Sequence, residues 1–220
     1  MIFRRIRAVI LLIILIFIGV KIFQGSSIIG SVLEEKDIIV IDPGHGGNDP
    51  GTIGINNIYE KDINLDIAKK LSKKLKSMNY KVILTRDTDE YIDNTERADL
   101  ANRKRARLFV SIHCNALENN TTVNGVQVLY YPDKDSNKDL GNETLAQMVL
   151  DEILINTGAD NKGIVEREDL IVLNQTKVSA IIIECGFLTN EKEANLLLTD
   201  KYQNKIANAI AEGVKTYLNY

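Results

Sequence analysis

Residues 37–51 read DIIVIDPGHGGNDPG. Ile38, Ile39, Val40 and Ile41 follow one another with no alternation of polar and apolar positions. A strand of that kind is covered on both faces, the condition of a parallel sheet flanked by helices. The run breaks at Pro43, and His45 follows between glycines. Gly44, Gly46 and Gly47 let the backbone turn sharply and leave room around the imidazole. A strand that stops in this way delivers its histidine to one rim of the sheet. The rival reading, a phosphate-binding loop, is weak, because G-x-G-G lacks the spacing and the lysine of a P-loop.

The same texture recurs downstream. Residues 80–85, 108–112, 125–131, 170–173 and 180–184 are further strand candidates, several of them apolar throughout. Helix candidates lie between and after them. Over 62–78, Ile63, Ile67, Leu71, Leu75 and Met78 recur every three or four residues. Residues 95–106 and 144–155 are amphipathic, and 201–218 places Tyr202, Ile206, Ile210 and Val214 on one face. Strands alternating with helices predict an α/β sandwich. Residues 118–124 are polar and predict a surface loop, and no internal repeat is present.

The 220 residues allow one substantial domain, and 45% apolar with 26% charged residues is ordinary for a globular chain. Net charge is −3, but Arg4, Arg5, Arg7 and Lys21 all lie near the amino terminus. Without them 23 basic residues face 30 acidic ones, a balance of −7. An acidic body argues against nucleic acid as partner, since phosphate binding needs a basic face. The arginines precede thirteen apolar residues, Ala8 to Val20. That length matches a signal-peptide core and falls short of the ~20 residues of a spanning helix. Residues 1–25 therefore read as a signal peptide or, uncleaved, as a membrane anchor, residues 26–36 as a linker, and 37–220 as the globular body. Either form of the leader puts the body outside the cytoplasm.

The chain has only two histidines. His113 ends the run LFVSIH as His45 follows its own run. Two strand ends can converge, and with one acidic residue the set becomes His, Glu, His with a fourth position open, the usual way a catalytic zinc is held. Glu60, Asp62 and Asp49 all compete for the acidic place, and position alone leaves the three open. Glu184 closes the apolar run Ala180 to Ile183. A carboxylate there needs compensation for its desolvation, from an ion pair or from a role as general base beside a metal-bound water. Cys114 and Cys185 directly follow His113 and Glu184. They read as two small buried thiols at strand ends, with a disulfide as the alternative in an exported protein. Arg86, Arg97 and Asn102 read as structural residues, the arginines pairing with carboxylates such as Asp89 and Glu96, with contact to peptide or glycan as the alternative.

Taken in order, IDPGHGGNDPG, NIYEKDINLDIA, LTRDTDEYI with Glu96-Arg97-Ala98, LFVSIHCNA and IIIECGFLTN resemble the zinc-dependent N-acetylmuramoyl-L-alanine amidases. The likeness runs from about residue 37 to the carboxy terminus. It implies a three-layer α/β/α sandwich around a mostly parallel, mixed sheet of about six strands. It implies zinc held by His45, Glu60 and His113, with Glu184 as catalytic acid/base. The implied substrate is the peptidoglycan amide between the lactyl group of N-acetylmuramic acid and L-alanine. The compact layout is similar to the amidases of spore cortex and germination, where stripped muramic acid leads to the muramic lactam. That places the body in the cell wall, at the outer face of the membrane or in the forespore intermembrane space, with an activating or localising protein as a further expected partner. The alternatives are a zinc peptidase acting on stem peptides and a catalytically silent wall-binding scaffold.

Overall fold

The computed structural model describes residues 37–117, 120–133 and 140–220, and Lys21. The expected signal or anchor segment and the linker lie outside these residues, apart from Lys21. Among the described residues no helix is long and apolar enough to cross a membrane. Residues 37–220 form one compact unit.

Six strands make one mixed, mostly parallel sheet: β1 (Ile38–Pro43), β2 (Lys81–Leu84), β3 (Leu108–Asn115), β4 (Val126–Tyr130), β5 (Asn161–Glu166) and β6 (Ser179–Phe187), in the order β2-β1-β3-β6-β4-β5. The central strands β1, β3 and β6 run parallel, whereas β4 is antiparallel to β6. The carboxyl ends of β1, β3 and β6 therefore meet at one rim, where α/β sheets place their ligands. The register sets His113 directly beside Glu184.

Three long helices cover one face: α1 (Glu60–Ser77), α3 (Asn142–Thr157) and α6 (Asp200–Leu218). Their apolar stripes close on Ile39, Ile41, Leu108, Val110, Ile181 and Ile183. The other face carries α2 (Asn94–Lys104) and the single turn α4 (Ile171–Asn174), over Val40, Phe109, Leu129 and Ile182. A seven-residue helix, α5 (Glu191–Leu197), joins β6 to α6.

Strand alternation sorts the chemistry between these faces. Successive side chains of a strand point to opposite sides. Val40 and Asp42, Phe109 and His113, and Ala180, Ile182 and Glu184 thus fall on the lightly covered face. Cys114 and Cys185 fall in the thick core with α1, α3 and α6, where both are buried and free.

Residues 170–173 are not the expected strand. They lead into α4, with Val172 and Leu173 buried against the second face and Ile171 exposed. A four-residue apolar run fits a strand or a helical turn equally by pattern. The sixth strand is instead β5, NKGIVE, an edge strand paired with β4 through Val128↔Ile164 and Leu129↔Val165. Its polar residues and glycine suit an edge and conceal it in the sequence. α5 was also missing from the expected elements, although Asn190 caps it in the ordinary way, its side chain accepting from Glu193 N at 3.1 Å.

Candidate metal centre and active site

The turn after β1 is built around close approaches. His45 sits in the left-handed region at φ 61°, which a residue with a side chain seldom adopts. Gly46 and Asp49 exchange backbone hydrogen bonds of 2.9 and 3.1 Å, so the chain doubles back and Asp49 Oδ2 meets His45 Nδ1 at 2.7 Å. A Cβ on Gly44 would lie 2.2 Å from the His113 ring, and one on Gly51 would lie 2.6 Å from Glu60 Oε2. Glycine is required at both places by contact with the site.

Two buried arginines hold this turn. Arg97, from α2, donates to Pro43 O (2.8 Å), His45 O (2.8 Å), Ile92 O (2.9 Å) and the buried Asp42 Oδ1 (2.8 Å). Asp42 is completed by Thr85 Oγ1 at 2.6 Å and Ser111 Oγ at 2.7 Å. Arg86 donates only to carbonyls: Pro43, Gly44, Lys61 and Thr88. The expected partners are corrected accordingly. Arg97 pairs with Asp42 rather than Glu96, and Asp89 is taken by Lys61 at 2.7 Å. Asn102 is structural, bonding Gln175 O at 2.9 Å and Lys177 N at 2.8 Å.

Glu60 opens α1 and is buried. Its Oε1 lies 2.9 Å from His113 Nδ1 and 3.3 Å from His45 Nε2, and also accepts from Cys114 N at 3.1 Å and Asn64 Nδ2 at 3.3 Å. Its Oε2 accepts from Thr52 N at 2.9 Å. The ligand atoms of His45, Glu60 and His113 lie within 4.8 Å of one another, a group suited to hold a metal ion. Of the other acidic candidates, Asp49 supports His45 from behind and Asp62 is exposed.

The electrostatics follow from this crowding. Burial alone would raise the Glu60 carboxyl, but the two imidazoles outweigh it and hold the group well below the usual carboxylate range. Burial disfavours the charged form of His45, yet Glu60 and Asp49 lift it to about 9. His113 is raised in the same way by Glu60 against its burial. Glu184 goes the other way: burial pushes it up to about 7. Its Oε2 is buried with no hydrogen-bond partner among the described residues. A solvent-excluded, unpaired oxygen costs free energy unless something not part of the chain meets it there.

Two grooves flank the centre, of about 300 and 720 Å³, and His45, Asp49, His113 and Glu184 line both. One functional feature had not been singled out in the sequence, the Asp42–Arg97 pair. Its signal was a buried-strand Asp directly before the Pro-Gly-His turn.

The family model described as N-acetylmuramoyl-L-alanine amidase matches residues 39–216. The chain is 34% identical to N-acetylmuramoyl-L-alanine amidase LytC of Bacillus subtilis over 82% of its own length, spanning about a third (35%) of LytC. It is 32% identical to the germination-specific N-acetylmuramoyl-L-alanine amidase of the same species, over 82% of this chain and 79% of that one. Among solved structures, an N-acetylmuramoyl-L-alanine amidase of Clostridium difficile 630 shares 41% identity over 84% of this chain and 97% of the other, with a TM-score of 0.78. The CwlD amidase of Clostridioides difficile, solved in complex with the GerS lipoprotein, shares 36% identity over 84% and 99%, with a TM-score of 0.72. With so nearly complete a match across the described body, the chain belongs to the N-acetylmuramoyl-L-alanine amidase family of enzymes.

Proposed function

We propose that this chain is a zinc-dependent hydrolase that cleaves the amide between the lactyl group of N-acetylmuramic acid and L-alanine in peptidoglycan. His45, Glu60 and His113 would hold the zinc, and Glu184 would be the acid/base. The observation that carries this is the convergence of three lone-pair donors on one point beside an unpartnered carboxylate. Two imidazole nitrogens, which a metal would bind in their unprotonated form, and one carboxylate, with a fourth side open to the grooves, are the donor set of a catalytic zinc.

Zinc held there supplies Lewis acidity toward the scissile carbonyl and a water acidified toward neutral pH. The chain's own residues do the rest. His45 is kept in one orientation by Asp49 and by the left-handed turn that Arg97 and Arg86 clamp. Glu184 takes the proton of the attacking water on its buried carboxyl. It then gives a proton to the alanine nitrogen, because an amide does not expel an unprotonated amine. Burial raises this carboxyl in the metal-free chain, a direction that suits a group that must return a proton as well as accept one.

We further infer a role in spore-cortex modification, supported by likeness to the germination-specific amidase and to CwlD. The expected setting is outside the cytoplasm, in the cell wall, at the outer face of the membrane or in the forespore intermembrane space, with an activating or localising protein partner, a reading supported by the structure of CwlD in complex with a lipoprotein. Mass analysis of peptidoglycan incubated with the zinc-loaded chain tests the reaction. Glycan strands stripped of peptide support it, and cleavage within the stem peptide with the lactyl amide intact would replace it with a peptidase.

A further inference from the structure

Resting on the amidase reading, the two grooves can be told apart by charge. The scissile amide separates unlike halves. The amino sugars on one side are neutral. The stem peptide on the other carries carboxylates, the first being the free α-carboxylate of the second residue when that residue is γ-linked glutamate.

The 720 Å³ groove has no lysine or arginine among its lining residues, and offers Thr52, Asn115 and Thr189. Acids line both grooves, Asp49 and Glu184 in common with Asp42 in the smaller and Glu60 in the larger, but only the 300 Å³ groove also has arginines, Arg97 and Arg167. Arg97 is buried, and its donors are taken by Asp42 and by carbonyls of the chain. Arg167 follows the edge strand β5 and is only half-buried. It forks onto the exposed Asp169 through Nε and Nη2, both at 2.8 Å, while Nη1 makes no hydrogen bond among the described residues. The fork fixes the guanidinium plane of an arginine that lines the groove and leaves one nitrogen, Nη1, unengaged among the described residues, which suits a carboxylate arriving from substrate. The floor and wall beside it, Leu129, Ile182, Leu170 and Val172, suit the alanine methyl and the peptide's aliphatic carbons. Arg167 and Glu184 share this small groove, so the carboxylate within reach is one close to the scissile bond.

We propose that Arg167 binds the α-carboxylate of the stem peptide's second residue, seating the peptide in the 300 Å³ groove and the glycan in the 720 Å³ groove. Arg167 would thereby be a specificity-determining residue that prefers glutamate to its amide, isoglutamine, at that position.

The test compares two disaccharide tripeptides, alike except for γ-linked D-glutamate or D-isoglutamine at the second residue, with zinc-loaded full chain. Wild type is expected to prefer the acid by about tenfold in kcat/KM, mainly through KM, the worth of one charge-assisted hydrogen bond. Arg167→Gln is expected to bring the ratio close to one, and Arg167→Lys to keep part of it. The proposal is overturned if wild type cleaves both alike, or if Arg167→Gln retains the preference. It is equally overturned if Arg167→Gln slows both substrates by one factor with a shifted pH profile, since Arg167 would then act on Glu184 and not on substrate. Cleavage of neither substrate by wild type would instead remove the amidase reading, and this inference with it.

Discussion

Glu60 Oε1 faces two imidazole nitrogens and two N–H donors at once. An oxygen so placed is poised for a cation, and the residues behind it decide how well the cation is held. With Nε2 of His45 turned toward Glu60, Nδ1 carries the proton given to Asp49 Oδ2. Asp49→Asn removes that anionic acceptor and leaves the fold. Zinc affinity is expected to fall about 10- to 100-fold, measured by competition with a chromophoric chelator. Glu184 yields a prediction of different kind. Burial raises its carboxyl from an ordinary 4.5 to about 7. A raised acid stabilises the folded state below 4.5, and the contribution is lost as pH rises through 7. In the metal-free chain, Glu184→Gln is therefore expected to melt above wild type at pH 8, by roughly 10 °C, with the gap closing near pH 5. A scanning-calorimetry series over that pH range checks the sign.

At the scale of elements, the site depends on how α2 is tied to β1. The buried Arg97–Asp42 pair makes that link, and the same guanidinium holds the carbonyls of Pro43 and His45. Arg97→Ala leaves the buried Asp42 carboxylate with only the Thr85 and Ser111 hydroxyls and no cation, and takes the guanidinium from the His45 carbonyl. We expect a loss of about 3–5 kcal/mol, read by urea denaturation, and weakened zinc binding as the His45 turn loosens. The same link shows what was legible in the sequence. The apolar stretches of β1, β3 and β6 were plain, because strands buried on both faces are uninterrupted apolar runs, but their ends were not: β3 runs on past His113 to Asn115 and β6 past Glu184 to Phe187. The partner of Arg97 was not, because Asp42 lies 55 residues away and only the sheet brings them together. β5 was hidden by its edge position, and residues 170–173 by a pattern too short to separate a strand from a helical turn. Glu60 could not be chosen over Asp49 by position, since both lie close to His45, one as a neighbour across the site and one behind the ring.

For the whole molecule, the asymmetry of the two faces matters most. Three long helices bury one face and one long helix with a single turn covers the other, so the second face retains open ground beside the rim. His113 and Glu184 point to that open side, while the neighbouring cysteines pack into the core; a one-residue slip of register would exchange them. A metal held as proposed would tie the turn after β1 and the start of α1 to β3, through His45, Glu60 and His113. Chelation is thus expected to lower the melting temperature and zinc to restore it, the stability gained being about 4 kcal/mol when free zinc exceeds Kd a thousandfold. The most direct test of the central claim is the release of L-alanine amino termini from peptidoglycan by wild type and Glu184→Gln, at matched and measured zinc content. The account predicts full zinc in both and a loss of turnover of about 10²- to 10⁴-fold in the variant. Near-normal release by Glu184→Gln with zinc in place would contradict it.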